Sequence, residues 1–270
     1  MRVVLYVVTA LTLLFVNAPL LVTIGASFGA GSYLAFPPHA WSLRWYATFA
    51  GSGDWLDSIG NSIAVALGTA ACATVLGTLG ALGLARLRRR ASTALLAIVL
   101  APMIIPHVAL AIGLYPLLAR IHLVNSYPAV IAGHTVVAVP LVVIVVSAAL
   151  QNVDAAVERA ASSLGASPLQ VFREVTLPLV FPGVLGGALL AFTVSFDELE
   201  LALFLSGPAT RTFPLQIWEQ VQYELSPLIA VASVLVVVAV VVVLALLALT
   251  RSRASTRPAK TRNPAEGHVA

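Results

Sequence analysis

The chain has 270 residues, 60% of them hydrophobic and only 10% charged. An ordinary soluble domain is about a quarter charged, so this composition excludes a water-soluble globule and points to an integral membrane protein. The net charge of +4 does not indicate nucleic acid, because the basic residues stand beside apolar runs, where topology signals lie. A single cysteine, Cys72, excludes an internal disulfide or a cysteine-built metal framework.

Crossing about 30 Å of hydrocarbon takes roughly 20 apolar residues in a helix. Six segments qualify, at about 3–26, 62–85, 92–118, 128–150, 180–205 and 228–249. Hydrocarbon cannot satisfy a bare backbone, so helices are the expected form throughout. The first run follows Arg2, exceeds the 7–15-residue apolar region of a signal peptide and lacks an A-x-A cleavage site, so it reads as a retained span. The loop after it carries Trp41, Trp45, Tyr46 and Phe49 over residues 41–50. Their spacing predicts a short interfacial helix with one aromatic face at headgroup level.

The second span carries Ala73, Gly77 and Ala81 at four-residue intervals, a spacing of small residues that lets helix backbones approach closely. The third contains Pro102 and Pro106, and the fourth Pro140; each proline predicts a kink, because it withholds one backbone hydrogen bond. The polar residues 251–270 read as a disordered tail.

Orientation follows from Lys and Arg. With the N-terminus inside, the inner segments hold Arg2, Arg86, Arg88, Arg89, Arg90, Arg159, Arg173, Arg251, Arg253, Arg257, Lys260 and Arg262, and the outer ones only Arg44, Arg120 and Arg211. Twelve against three is a clear positive-inside bias, and it makes both termini and the 154–182 loop cytoplasmic.

That loop, DAAVERAASSLGASPLQVFREVTLPLVFP, is the longest polar interruption with helix signals. Val153, Val157, Ala161 and Leu164 recur as a narrow apolar stripe. Gly165 ends that helix. Ser167, Pro168 and Gln170 then form a capping-box start for a second helix. Leu177-Pro178 is expected to break the second helix before the next span. An amphipathic pair lying on headgroups would be enriched in Lys and Arg. The loop instead has Asp154, Glu158 and Glu174 against Arg159 and Arg173, which favours a protein partner.

The segment RAASSLGASPLQVFREVTLP resembles the EAA loop of ABC-importer permeases. The matching positions are Arg159, Ala160, Ala161, Gly165, Val175, Leu177 and Pro178, with Glu158 one place before the position where the family often has Glu and this chain has Arg159. The later segments LAFTVSFDELELALFLSGP and TFPLQIWEQVQYELSPLIAVAS look like permeases of the spermidine/putrescine group. The resemblance implies an all-α integral membrane fold. Six transmembrane helices are expected, with a cytoplasmic helix-turn-helix coupling loop between the fourth and fifth. The spans divide the chain into a first helix and outer loop (1–60), a permease core of five helices (61–250) and the tail (251–270).

The resemblance further implies a bacterial cytoplasmic membrane location and three protein partners: an ATP-binding cassette ATPase dimer, a second homologous permease and an extracytoplasmic solute-binding protein. ATP and Mg belong to the ATPase. This chain has no G-x-x-x-x-G-K-[ST] phosphate cradle and no cofactor of its own is expected. The cargo implied is a small organic cation, a polyamine such as spermidine or putrescine. The residues alone leave open a self-contained six-helix secondary transporter or channel, or an ABC permease for another solute.

Asp197, Glu198 and Glu200 lie within the fifth expected span. A charge at the bilayer centre costs about 2.5–3.5 kcal/mol on insertion scales, so three acids together are not expected to face lipid. On one continuous helix they share a polar face and could line a cation path. The alternative is an unwound segment whose acids are solvated or paired. His107 and His134, in spans three and four, read as hydrogen-bonded packing groups rather than metal ligands. No nucleophile triad, paired-acid hydrolase site or metal cluster is present in the sequence.

Overall fold

The computed structural model describes residues 1–223 and 225–255, with side chains up to residue 242. Every regular element among them is helical, and one isolated bridge joins Gly29 to Trp41. In chain order the helices are α1 (Arg2–Ser27), α2 (Arg44–Ala50), α3 (Gly53–Arg86), α4 (Arg89–Leu100), α5 (His107–Arg120), α6 (Tyr127–Gln151), α7 (Ala155–Ser163), α8 (Pro168–Val171), α9 (Leu177–Asp197), α10 (Glu200–Leu205), α11 (Phe213–Tyr223) and α12 (Pro227–Ser255). Short 3-10 turns lie at Ala101–Met103 and Pro208–Thr210, and a π turn at Phe172–Thr176.

Four helical segments are long and apolar enough to cross a membrane: Arg2–Ser27, Gly53–Arg86, Tyr127–Gln151 and Pro168–Asp197. A fifth crossing arises if the bent pair Arg89–Met103 and His107–Arg120 counts as one span. The sixth expected span is α12, whose part with described side chains, Pro227–Val242, is apolar but shorter than a crossing. It runs to Ser255, so the first five residues of the expected tail are helical. Residues 256–270 of that tail lie outside the described residues.

The chain forms two compact units, one of Met1–Gly51 with the described part of 224–270, the other of Ser52–Tyr223. In the first, α12 packs with α1 and α2, so the last helix groups with the first and not with the core that the sequence suggested. The aromatic face of α2 is divided. Tyr46 bonds Ser27 at 2.8 Å, Trp45 donates to the Gly31 carbonyl at 3.0 Å, and Phe49 is buried, while Trp41 stays exposed.

The second unit is built around α3, α6 and α9. α6 carries the largest share of its core: Val130, Val137, Ala138, Val142, Val143 and Val146 are all buried. The small-residue spacing of α3 does what the sequence predicts. Ala73 and Ala81 are buried, and a Cβ on Gly77 would come within 2.6 Å of the Val142 Cβ. α3 begins earlier than expected, at Gly53, because Trp55 and Ser58 are buried on the same side as the span proper.

The prolines act according to their surroundings. Pro140 stays inside an unbroken α6, fully buried. Pro102 and Pro106 together interrupt the third span: α4 ends at Leu100, and the two halves meet at 96°. Two missing N–H groups four residues apart leave too few bonds for a continuous turn, and Pro106 pushes its predecessor out of the helical region. The expected break at Leu177-Pro178 does not occur. The helix runs from Pro168 to Asp197 through the π turn, where Leu177 N–H reaches back five residues to the Phe172 carbonyl. A π turn shifts the bonding register by one just before the residue that has no N–H, so Pro178 is absorbed instead of ending the helix.

Candidate coupling loop and broken-helix acids

Each end of the 154–168 segment is fixed by local chemistry. Asp154 caps α7 by accepting from Ala156 N–H at 2.8 Å. At the other end Gly165 takes φ +90°; Gly165 N–H bonds the Ser162 carbonyl and Ala166 N–H the Ala161 carbonyl, at 3.0 and 3.2 Å. This is a Schellman turn, which needs the left-handed conformation that glycine adopts without strain. Ser167 and Gln170 form the reciprocal capping box that starts α8.

The apolar stripe is where expectation and structure part. Only Val153, which precedes α7, packs against the core, beside the end of α6. Val157 is 46% and Leu164 89% exposed, so the stripe is presented outward and is not used to hold α7 on its own chain. Glu158 has that task. Its Oε1 accepts from Thr176 Oγ1 at 2.5 Å, tying α7 to the π turn 18 residues on. Nothing in the periodicity of the sequence marks Thr176; the contact exists because the turn folds α7 back over the start of the long helix. Arg159 and Ala160 are exposed, and Ala161, Val175 and Leu177 half-buried. Glu158 and Arg159 border an open cavity of about 830 Å³, with Arg86, Leu150 and Phe172 among its other walls.

Asp197, Glu198 and Glu200 do not share one helical face. α9 ends at Asp197, Glu198 is extended (ψ 117°), and Glu200 opens α10. The acids therefore straddle a break, which is the unwound alternative and corrects the continuous helix of the other reading. Glu198 is buried at 6% exposure; its Oε2 lies 2.9 Å from His107 Nδ1 and its Oε1 accepts from Leu201 N–H at 3.1 Å. Glu200 Oε2 accepts from Val108 N–H at 3.1 Å. Asp197 is exposed. The two breaks thus meet, that of the third span at Pro106 and that of the fifth at Glu198, joined by carboxylates at a helix N-terminus, where negative charge contributes roughly 0.3–1 kcal/mol, more when buried. His134 is fully buried in α6 and its Nδ1 pairs with Ser195 Oγ at 2.9 Å, a packing role as expected. Among the described residues no group of three metal-ligating side chains occurs.

Known proteins place this geometry. The model of the binding-protein-dependent transport system inner membrane component matches residues 73–255. The putrescine transport system permease protein PotI of Escherichia coli (strain K12) is 33% identical over 237 residues, 85% of this chain and 84% of PotI. The spermidine/putrescine transport system permease protein PotC of the same organism is 28% identical over 82% of this chain and 84% of its own length. A molybdenum transport system permease protein, ModB of Mycobacterium bovis, is 35% identical over a shorter stretch, 65% of this chain and 74% of ModB. In fold, the chain is similar to a chain of a bacterial ABC transporter involved in the import of the acidic polysaccharide alginate, with TM-score 0.70, 16% identity and coverage of 91% and 94%. The chain belongs to the inner-membrane permease family of binding-protein-dependent transport systems and is an ABC-importer permease subunit.

Proposed function

We propose that this chain is one of two permease subunits of an importer that moves a small organic cation, a polyamine such as putrescine or spermidine, across the cytoplasmic membrane. A separate ATPase dimer binds ATP and Mg and grips α7; an extracytoplasmic solute-binding protein delivers the cargo. In this reading six helices cross the bilayer, both termini and the α7–α8 turn are cytoplasmic, and the chain itself has no catalytic role.

The observation that carries the reading is α7. It is capped at both ends, yet its apolar residues Val157 and Leu164 face away from its own chain. A rigid helix that presents apolar side chains where a cytoplasmic loop is expected suits insertion into a cleft on another protein. The cargo class rests on the likeness to putrescine and spermidine/putrescine permeases over most of the chain and on the exposed Asp197 at the break, whose sign suits an ammonium and opposes an anion. The likeness to a molybdenum permease, over a shorter stretch, supports a second reading with another solute.

The test uses the assembled transporter. Gly165→Pro removes the left-handed turn, and Glu158→Lys removes the tie to Thr176. Both are expected to cut putrescine uptake about tenfold or more while the ATPase loses cargo-dependent stimulation or no longer co-purifies. Normal uptake and normal ATPase co-purification in both variants would sink the coupling role of α7. Uptake of a non-cationic solute that excess polyamine does not inhibit would favour the second reading.

A further inference from the structure

We infer that Glu198 and Glu200 are positioning residues that cap two interrupted helices and thereby fix the bend in the third span. The inference rests on the permease reading only in taking transport as its readout. α5 starts after Pro106, whose side chain makes no capping hydrogen bond. Proline has nothing to offer the free N–H groups of the following turn. Glu200, 92 residues further along the chain, fills the vacancy by accepting from Val108 N–H at 3.1 Å. α10 has the same deficit, since Leu199 at its N-cap cannot accept a hydrogen bond through its side chain. Glu198 fills that one by accepting from Leu201 N–H at 3.1 Å, and its second oxygen meets His107, the first residue of α5, at 2.9 Å.

Each acid therefore caps a helix start, and Glu198 also pairs with the His107 side chain at the start of α5. The segment at the second break thus caps the helix after the first as well as its own. α5 and α10 also share a packed cluster in which Ala111, Leu118, Leu201 and Leu205 are buried. Polar ties at the N-termini and apolar packing along the sides make the two short helices one piece. The angle between α4 and α5 cannot change without α10 following, or without uncapping Val108. Of the three acids, Asp197 alone is left without a partner among the described residues, so Glu198 and Glu200 act on transport through helix position and not as free cation ligands.

The expected behaviour separates the two roles. Glu200→Gln keeps an acceptor oxygen for Val108 N–H and loses the charge; Glu200→Ala loses both. In the transporter assembled with its ATPase and second permease, Glu200→Gln should keep about half or more of wild-type putrescine uptake. Glu200→Ala should lower kcat about tenfold with KM held within about twofold, the pattern of a lost cap and not of a lost cargo contact. Spin labels at Ile112→Cys and Leu203→Cys, in a Cys72→Ser background, should give one narrow distance in wild type and in Glu200→Gln, and a broadened one in Glu200→Ala. The inference is overturned if Glu200→Gln raises KM as much as Glu200→Ala does, or if the label distance is unchanged in Glu200→Ala. Should the wild-type transporter not carry polyamines at all, the cargo assignment fails, and the label distances still decide the capping role.

Discussion

Asp197 and Glu198 are neighbours in sequence with opposite surroundings. Glu198 is 6% exposed with both oxygens engaged, whereas Asp197 is exposed at the last turn of α9. A carboxylate that already caps a helix and pairs with His107 has little freedom to bind a passing ammonium, while an unpaired one beside it does. Removing both charges, Asp197→Asn with Glu198→Gln, is therefore expected to raise KM for putrescine about tenfold, the size of losing one charged contact. ATPase co-purification and membrane yield should stay at wild-type level, because the Gln at 198 still accepts from Leu201 N–H. Uptake that is unchanged in the double variant would remove the acids from the path altogether. The sequence named these residues but could not separate their roles, because the separation is made by α5, which lies some 90 residues away in the chain and directly against them in space.

The same division between local and distant causes governs the elements. Helix ends were legible where a local cap motif marks them: Gly165 and the Ser167–Gln170 box stand as the sequence reads them. The prolines were not, since Pro102, Pro106, Pro140 and Pro178 carry the same local message and give a broken span, an unbroken core helix and an absorbed π turn. What decides is whether neighbours or a register shift satisfy the freed carbonyl. The break at Glu198 was one of two open readings, because the acids interrupt an otherwise apolar run from Val194 to Leu205 without a glycine or proline to mark a helix end. Close approach along α3 was legible, because it leaves a stripe of small residues, but its partner α6 was not. At Gly77 an added side chain would collide with Val142, whereas at Gly83, on the same helix, nothing lies within 4 Å. Gly77→Leu should destabilise the purified permease by about 1–3 kcal/mol, as overpacked cores do, seen as a lower Tm in detergent. Gly83→Leu should leave Tm nearly unchanged. Equal Tm values for the two variants would mean that α3 and α6 do not meet at Gly77.

At the scale of the permease unit Ser52–Tyr223, the α7–α8 turn and the acid-bearing break are the two ends of one object. The helix from Pro168 to Asp197 has 30 residues, roughly 45 Å at 1.5 Å per residue, and its only irregularity is the π turn next to α7. A push on α7 can reach Glu198 through this rod only if α7 is fixed to it, and the hydrogen bond from Thr176 to Glu158 is the polar tie that does so. A hydrogen bond to a charged group contributes about 1.5–3 kcal/mol, enough to hold a nine-residue helix whose apolar side chains are turned outward. Thr176→Val keeps the shape of the side chain, removes the donor, and leaves Glu158 free to swing with α7. It should keep ATPase binding and ATP turnover near wild type while transport per ATP hydrolysed falls about threefold to tenfold, and Thr176→Ser, which restores the hydroxyl, should recover most of the loss. If Thr176→Val transports with wild-type efficiency, the stroke reaches the break by some route other than this rod.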